Sequence, residues 1–221
     1  PNTLMLNLNM IILVRKENKE SVDKLINFRN TAKNSIVELR KKNLTELDDT
    51  LPTYEKIIST LDSLTGILFI VNYLMIRLGF RNKDVNLKNV KKIPESKDEN
   101  YMILKPNKVL VSINDYKTKK HNGVKNIEIT DVKFINEIKK LRLQDNEYIL
   151  GKKNGDKITN TNTFNDKIIK YTIGKLGEVK LIKIVIKQLL KENDFNKIEE
   201  LSKTRGTSLD VLLRSYNVHN V

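Results

Sequence analysis

Three short stretches of the chain bring together residue types that handle phosphate. The first is Gly79-Phe80-Arg81-Asn82-Lys83-Asp84, directly after an apolar run. An arginine in a glycine-opened turn behind a buried helix is held in place and can offer its planar fork to two phosphate oxygens. Asp84 can orient that guanidinium or cap the next helix. The plainer reading, a charge that compensates a helix C-terminus, is the one the stretch alone favours. The second stretch is Tyr116-Lys117-Thr118, at the entrance of a polar segment that also carries Lys119, Lys120 and His121. A lysine there can contact phosphate or protonate a leaving oxygen, although spacing alone favours an ordinary cationic loop. The third is Gly206-Thr207-Ser208 followed by Tyr216. A tyrosine, ordinarily of pKa about 10, becomes a nucleophile only beside activating cations; otherwise it packs a helix.

The elements that must position these residues follow from periodicity. Residues 4 to 15 read as a short helix, and Ser21 to Lys42 as an amphipathic one, with Val22, Leu25, Ile26, Ala32, Ile36 and Leu39 on one face. The polar stretch Lys42 to Pro52 marks a boundary, giving a helical segment 1–50 and a domain 51–221. Helices are expected at Thr53 to Thr60 and at Asp62 to Leu78, the second ended by Gly79. Asn82 to Val90 reads as a short helix or turn. The period then changes to two, with strands at Tyr101 to Leu104, Lys108 to Ile113 and Val124 to Ile129. The last two flank a hairpin loop, Asn114 to Gly123. A helix from Asp131 to Arg142 and a short strand Tyr148 to Leu150 come next. The rest is helical: Thr163 to Ile173, Glu178 to Lys191, Asn196 to Thr204 and Ser208 to Tyr216. Helices, a small antiparallel sheet, then helices again make the fold class α+β, mostly helical.

Composition narrows the partner. The 221 residues hold 41 Lys and Arg against 27 Asp and Glu, a net charge of +14, and the pI is near 9.7. Such a surplus points to a polyanion, nucleic acid before an anionic membrane; the competing explanation is lysine-rich coding. No cysteine is present, which removes disulfides, thiol nucleophiles and Cys-based zinc sites, and His121 and His219 form no metal motif. No metal and no cofactor are expected. The apolar run Ile67 to Ile76 is about half the ~20 residues a membrane span requires, so it reads as a buried core helix and no membrane partner is expected; the lack of cysteine fits an intracellular location.

In their order and spacing the three stretches resemble the catalytic domain of the tyrosine recombinases, the phage-integrase type. Gly79-Phe80-Arg81-Asn82-Lys83-Asp84 matches the Gly-x-Arg-x-x-Glu/Asp turn of that family, and Lys117-Thr118 its hairpin Lys-Thr pair. Tyr216 stands nine residues after Thr207, the family's interval from His or Trp to the nucleophile. The wording around Asn82-Lys83-Asp84 and Tyr116-Lys117-Thr118 is most similar to integrases of virophages and large DNA viruses. The resemblance spans about residues 51–221. It gives residues 1–50 as the end of a core-binding-like domain, double-stranded DNA as the partner and assembly on DNA as the oligomeric state. It assigns catalytic roles to Tyr216, Arg81 and Lys117.

The chain departs from the family at two places. No arginine lies between Arg142 and Arg205 and no histidine between His121 and His219, so the His-x-x-Arg motif is missing. Lys180-Leu181-Ile182-Lys183 is its nearest equivalent, and Lys180, Lys183 and Lys187 are expected to line a helix face toward phosphate. Thr207 replaces His or Trp. Lysine keeps charge but loses the two-pronged grip, and removing one transition-state donor costs about 3 kcal/mol. Phosphate affinity, which counts cations, suffers less. The expected function is therefore DNA binding with weak or no strand transfer, through Lys119, Lys120, Lys180 and Lys187, with Tyr216 and Arg81 as inherited positions. The alternatives are an active recombinase using Lys183 and Thr207, and a non-catalytic structural or virion component.

Overall fold

The computed structural model describes residues 2–35, 51–95, 98–116, 119 and 123–216, with 2–5 and 214–216 described in the backbone alone. They fall into two compact units, one up to Leu51 and one from Pro52 onward. The first contains α1 (Asn2–Glu17) and α2 (residues 23–35). Leu8 and Ile12 of α1 and Val22 are buried, while Leu6, Met10 and Leu13 are exposed. Residues 36–42, expected to continue α2, lie outside the described residues.

The second unit opens with α3 (Tyr54–Ser63), whose first turn is capped by the Thr53 hydroxyl accepting from Lys56 N at 3.3 Å. α4 (Gly66–Ile76) follows. It starts four residues later than its apolar pattern suggests, because Leu64 and Thr65 are extended. Gly66 has φ +58°, and its N–H is taken by the Glu137 carboxylate at 2.5 Å. From Phe69 to Ile76 all but Tyr73 are buried, so α4 is the central helix. Its one buried polar residue, Asn72, is fully used. The amide nitrogen donates to Leu68 O and Tyr171 O, each at 2.7 Å, and its oxygen accepts from Ile173 N at 2.9 Å.

After the short α5 (Asn82–Val85) comes a four-stranded sheet of β1 (Lys88–Asn89), β2 (Tyr101–Leu104), β3 (Val109–Ile113) and β4 (Lys125–Ile129), in that order. The expected antiparallel sheet is corrected to a mixed one: β2, β3 and β4 are antiparallel, but β1 runs parallel to β2. Two residues are too few to show a period, so β1 read as turn. The strand expected at Tyr148 to Leu150 is a single bridge from Tyr148 to Lys88, with residues 149 and 150 in a turn.

The remaining helices are α6 (Val132–Lys140), α7 (Thr161–Tyr171), α8 (Glu178–Lys191), α9 (Phe195–Arg205) and α10 (Leu209–Tyr216). Asp131, Asn160 and Asp194 cap α6, α7 and α9 by accepting from the N–H three residues on, as short polar side chains at that position do. α4 packs against α6, α7 and α8. Among the described residues no helix is long and apolar enough to cross a membrane.

Candidate functional site

Arg81 owes its place to a turn in which every neighbour has a structural task. Gly79 ends α4 at φ +68°, and the Phe80 N–H returns to Leu74 O at 3.0 Å, a left-handed cap that only glycine adopts without strain. A Cβ on Gly79 would also lie 2.0 Å from Leu201 Cδ1. Phe80 is wholly buried and anchors the turn. Asp84, 3% exposed, accepts the Arg81 N–H at 3.1 Å. Burial raises its pKa, opposed by that hydrogen bond and by Lys125 and Arg81. The Arg81 side chain is half-buried. Its guanidinium makes no hydrogen bond or ion pair among the described residues; its electrostatic neighbours are Asp84 and Lys125.

Two further cations meet it there. Arg205, at the end of α9 and 3% exposed, donates to Gly79 O at 2.9 Å and to the Glu178 carboxylate at 2.5 Å. The other Glu178 oxygen accepts from Asn82 N at 2.9 Å, so Glu178 ties the start of α8 to both α9 and α5. Lys125 opens β4, opposite Ile113. Its ammonium donates to Thr204 O at 2.8 Å and lies 3.7 Å from the centre of the Tyr116 ring, a cation–π distance. Tyr116 closes the base of the hairpin by donating to Gly123 O at 2.6 Å. Burial, set against the attraction of Asp84 and helped by Arg81 and Arg205, lowers the Lys125 pKa to about 8.

A cavity of about 630 Å³ opens beside Arg81, between α5, the start of α7 and the 157–161 segment. Lys157 lines it and shares Glu99 with Lys88: the Glu99 carboxylate takes Lys88 at 3.3 Å and Lys157 at 3.1 Å. Partial burial works against the Glu99 charge, but hydrogen bonds from Tyr148, Lys157 and Lys88 hold its pKa down to about 2. Burial and that same hydrogen bond push the Tyr148 hydroxyl upward. Lys83 pairs with Asp115 at 2.8 Å on the cavity wall.

Of the residues singled out from the sequence, Lys117 and Lys120 lie outside the described residues, as does the side chain of Tyr216, whose backbone ends α10. Lys119 is half-buried, with its carbonyl accepting from Gly123 N. Thr207 forms the helix-ending turn of α9: its N–H returns to Ser202 O at 3.1 Å, and its carbonyl accepts from Ser202 Oγ at 2.7 Å. Lys180 and Lys187 are half-buried on α8, and Lys183 between them is completely enclosed. The expected row of phosphate-facing lysines is thus interrupted: neighbours of Lys183 on its helix, Ile182 and Ile186, are core residues, and Lys183 shares their burial.

Lys125, Arg205 and Glu178 were not foreseen. The signal was available for two of them. Lys125 shares strand parity with Ile127 and Ile129, and Arg205 follows Ile198, Leu201 and Ser202 at helical spacing. Each is a cation at a core-facing position, where an unpaired charge is not tolerated. No group of three or more His, Asp or Glu able to hold a metal ion occurs among the described residues. No family model, no curated protein and no solved structure matches the chain.

Proposed function

We propose that the chain is a DNA-binding protein built on the catalytic-domain fold of the tyrosine recombinases, with weak or no strand-transfer activity. The observation that carries the reading is Arg81, a half-buried arginine on a rigid turn whose guanidinium has no hydrogen-bonding partner among the described residues. Such a group is preorganised for a phosphate oxygen pair. The recombinase part is supported by order: the arginine turn after the central helix, the hairpin between β3 and β4, and the Gly206-Thr207 turn before the helix that ends in Tyr216. The net charge of +14 supplies the non-specific attraction.

Chemistry is the weaker half, because a pentacoordinate phosphate needs a second two-pronged cation. Lys183, which stands where the resemblance puts that cation, is enclosed and lacks the fork. Arg205 is already committed to Glu178 and Gly79 O. One observation favours an active enzyme instead. Lys125, coupled to Arg81 and with its pKa lowered to about 8, gives up a proton more readily than an ordinary lysine. In that reading the Tyr216 oxygen releases its phenol proton to solvent and attacks phosphorus to form a 3′-phosphotyrosyl bond, the bond from phosphorus to the 5′ oxygen breaks, and that departing oxygen takes a proton from Lys125.

Suicide DNA substrates with a nick near the scissile bond separate the two readings. The binding protein forms a salt-sensitive complex with duplex DNA and leaves no covalent adduct. An adduct that disappears in Tyr216→Phe establishes the enzyme. Binding that is absent, or indifferent to salt, rejects both.

A further inference from the structure

α1 and α4 are built on similar apolar runs and meet opposite fates. Residues 1–14 contain no charged side chain, and neither do residues 63–76. In α4 that run is buried from Phe69 to Ile76, apart from Tyr73. In α1 only Leu8 and Ile12 are buried among residues 6–17, while Leu6, Met10, Ile11, Leu13 and Val14 are 46–61% exposed. Leu8 and Ile12, one turn apart, form the buried side, and beside them Arg29 of α2 donates to Asn9 Oδ1 at 3.4 Å. Leu6, Met10 and Leu13 lie on nearly the opposite side of the helix. A helix that is apolar on both sides is a core helix with one neighbour too few.

Spacing, area and charge identify that neighbour. Leu6, Met10 and Leu13 follow intervals of four and three, the seam that a second helix covers in a coiled coil. Five residues at about half exposure leave roughly 500 Å² open, near the top of the range for a lone chain. Two copies together bury about 1,000 Å², and a polar rim brings this to the about 1,200 Å² where specific interfaces begin. Chains of net charge +14 repel one another, but the seam brings no charge of its own to the contact. A lipid surface fits less well. Residues 1–35 hold six Lys and Arg against three Asp and Glu, whereas a membrane-surface helix carries a basic polar side; α1 is buried on that side instead. We infer that two copies of the chain pair through α1 without DNA, antiparallel, Leu6 of each against Leu13 of the other. Antiparallel order keeps Arg15 and Lys16 of the two copies about 15 Å apart, beyond the Debye length of about 8 Å, where parallel order would set them side by side. The pairing uses neither Arg81 nor DNA, so it stands or falls independently of the DNA-binding reading.

Sedimentation velocity of the full chain without DNA should show a concentration-dependent dimer. Met10→Glu should raise its dissociation constant about a hundredfold or more, because each dimer would enclose two unpaired charges. Met10 is exposed, so the circular dichroism of this variant should match the parent's. Cysteine cross-linking gives a second readout that does not depend on the glutamate variant, since the chain has no cysteine of its own. On mild oxidation a mixture of Leu6→Cys and Leu13→Cys should form a mixed disulfide dimer in preference to either variant alone. Lys153→Cys, at an exposed position of the second unit, should stay monomeric. Cross-links within each variant and none in the mixture overturn the antiparallel order. A chain that stays monomeric at every concentration, or a dimer that Met10→Glu leaves intact, overturns the pairing. So does a monomer that binds vesicles of phosphatidylcholine and phosphatidylserine and loses them in Met10→Glu, which assigns the face to lipid.

Discussion

Arg205 and Arg81 sit on either side of the Gly79-Phe80 turn and have opposite fates. Arg205 is buried and tied to a carbonyl and a carboxylate; Arg81 is half-buried and tied to neither. A buried guanidinium survives only with its hydrogen bonds satisfied inside the protein, so Arg205 is a structural clamp. An arginine that the fold positions but leaves unsatisfied is available to a ligand. The difference lies in Glu178, which neutralises the first and, through Asn82 N, fixes the backbone that carries the second.

The contrast can be broken most directly at the clamp. Arg205→Met leaves the Glu178 carboxylate partly buried without its cation, and breaking such a pair costs about 3–5 kcal/mol. For a chain of this size that lowers Tm by on the order of 10 °C. Thermal unfolding of Arg205→Met, Glu178→Gln and the double variant should show strong non-additivity. A fall of under about 1 kcal/mol would mean that Arg205 is no more structural than a surface charge.

Arg81→Ala should do the opposite. Stability stays within about 0.5 kcal/mol, while affinity for duplex DNA falls about tenfold and the salt slope drops by about one. Fluorescence anisotropy over a range of salt reads both. Unchanged affinity with an unchanged slope would erase the distinction between the two arginines.

The sequence displayed the frame of this arrangement better than its interior. Gly79, with its apolar run before it, announced a helix end, and the capping residues Thr53, Asp131 and Asp194 announced helix starts, because these are local effects. β1 was illegible since two residues carry no period, and its partner strand starts twelve residues later. The site was half legible. Arg81 and Asp84 stand in one turn, but Glu178 and Arg205 reach Asn82 and Gly79 across about a hundred residues of chain, and no local pattern encodes such a contact. Lys183 read as a cation on an exposed face because its i+4 neighbour Lys187 suggested a stripe. The isoleucines flanking it were the better guide.

Lys125 sharpens the comparison through pH. Its pKa in the folded protein, about 8, lies below the ordinary lysine value. Between about pH 8 and 10.5 the unfolded chain therefore holds a proton that the folded one has lost, so its contribution to stability rises with pH across that window and is constant below it. Duplex affinity should move the other way, weakening as pH passes 8 and a cation beside Arg81 is lost. Lys125→Met should flatten both profiles. If its affinity still weakens between pH 7 and 9 like the parent's, the titrating group lies elsewhere.

The smallest effect belongs to Glu99, the carboxylate that holds the cavity-lining Lys157. Glu99 is held near a pKa of about 2, below its unfolded value, so the stability it contributes is complete above the ordinary glutamate range. That contribution disappears as pH falls from about 4.5 toward 2. Its side chain is about one-third exposed at 36%, and solvent screening keeps the gain small. Glu99→Gln should therefore leave the neutral-pH melting temperature nearly unchanged while making acid unfolding less steep. The same change releases Lys88 and Lys157 from their shared carboxylate and adds positive charge to the cavity. Anion affinity should then rise slightly where Arg205→Met, by disturbing Glu178 and the Arg81 turn, lowers it. Opposite signs for these two variants would show that the walls of the cavity differ as the two arginines do, one side structural and the other poised for a ligand.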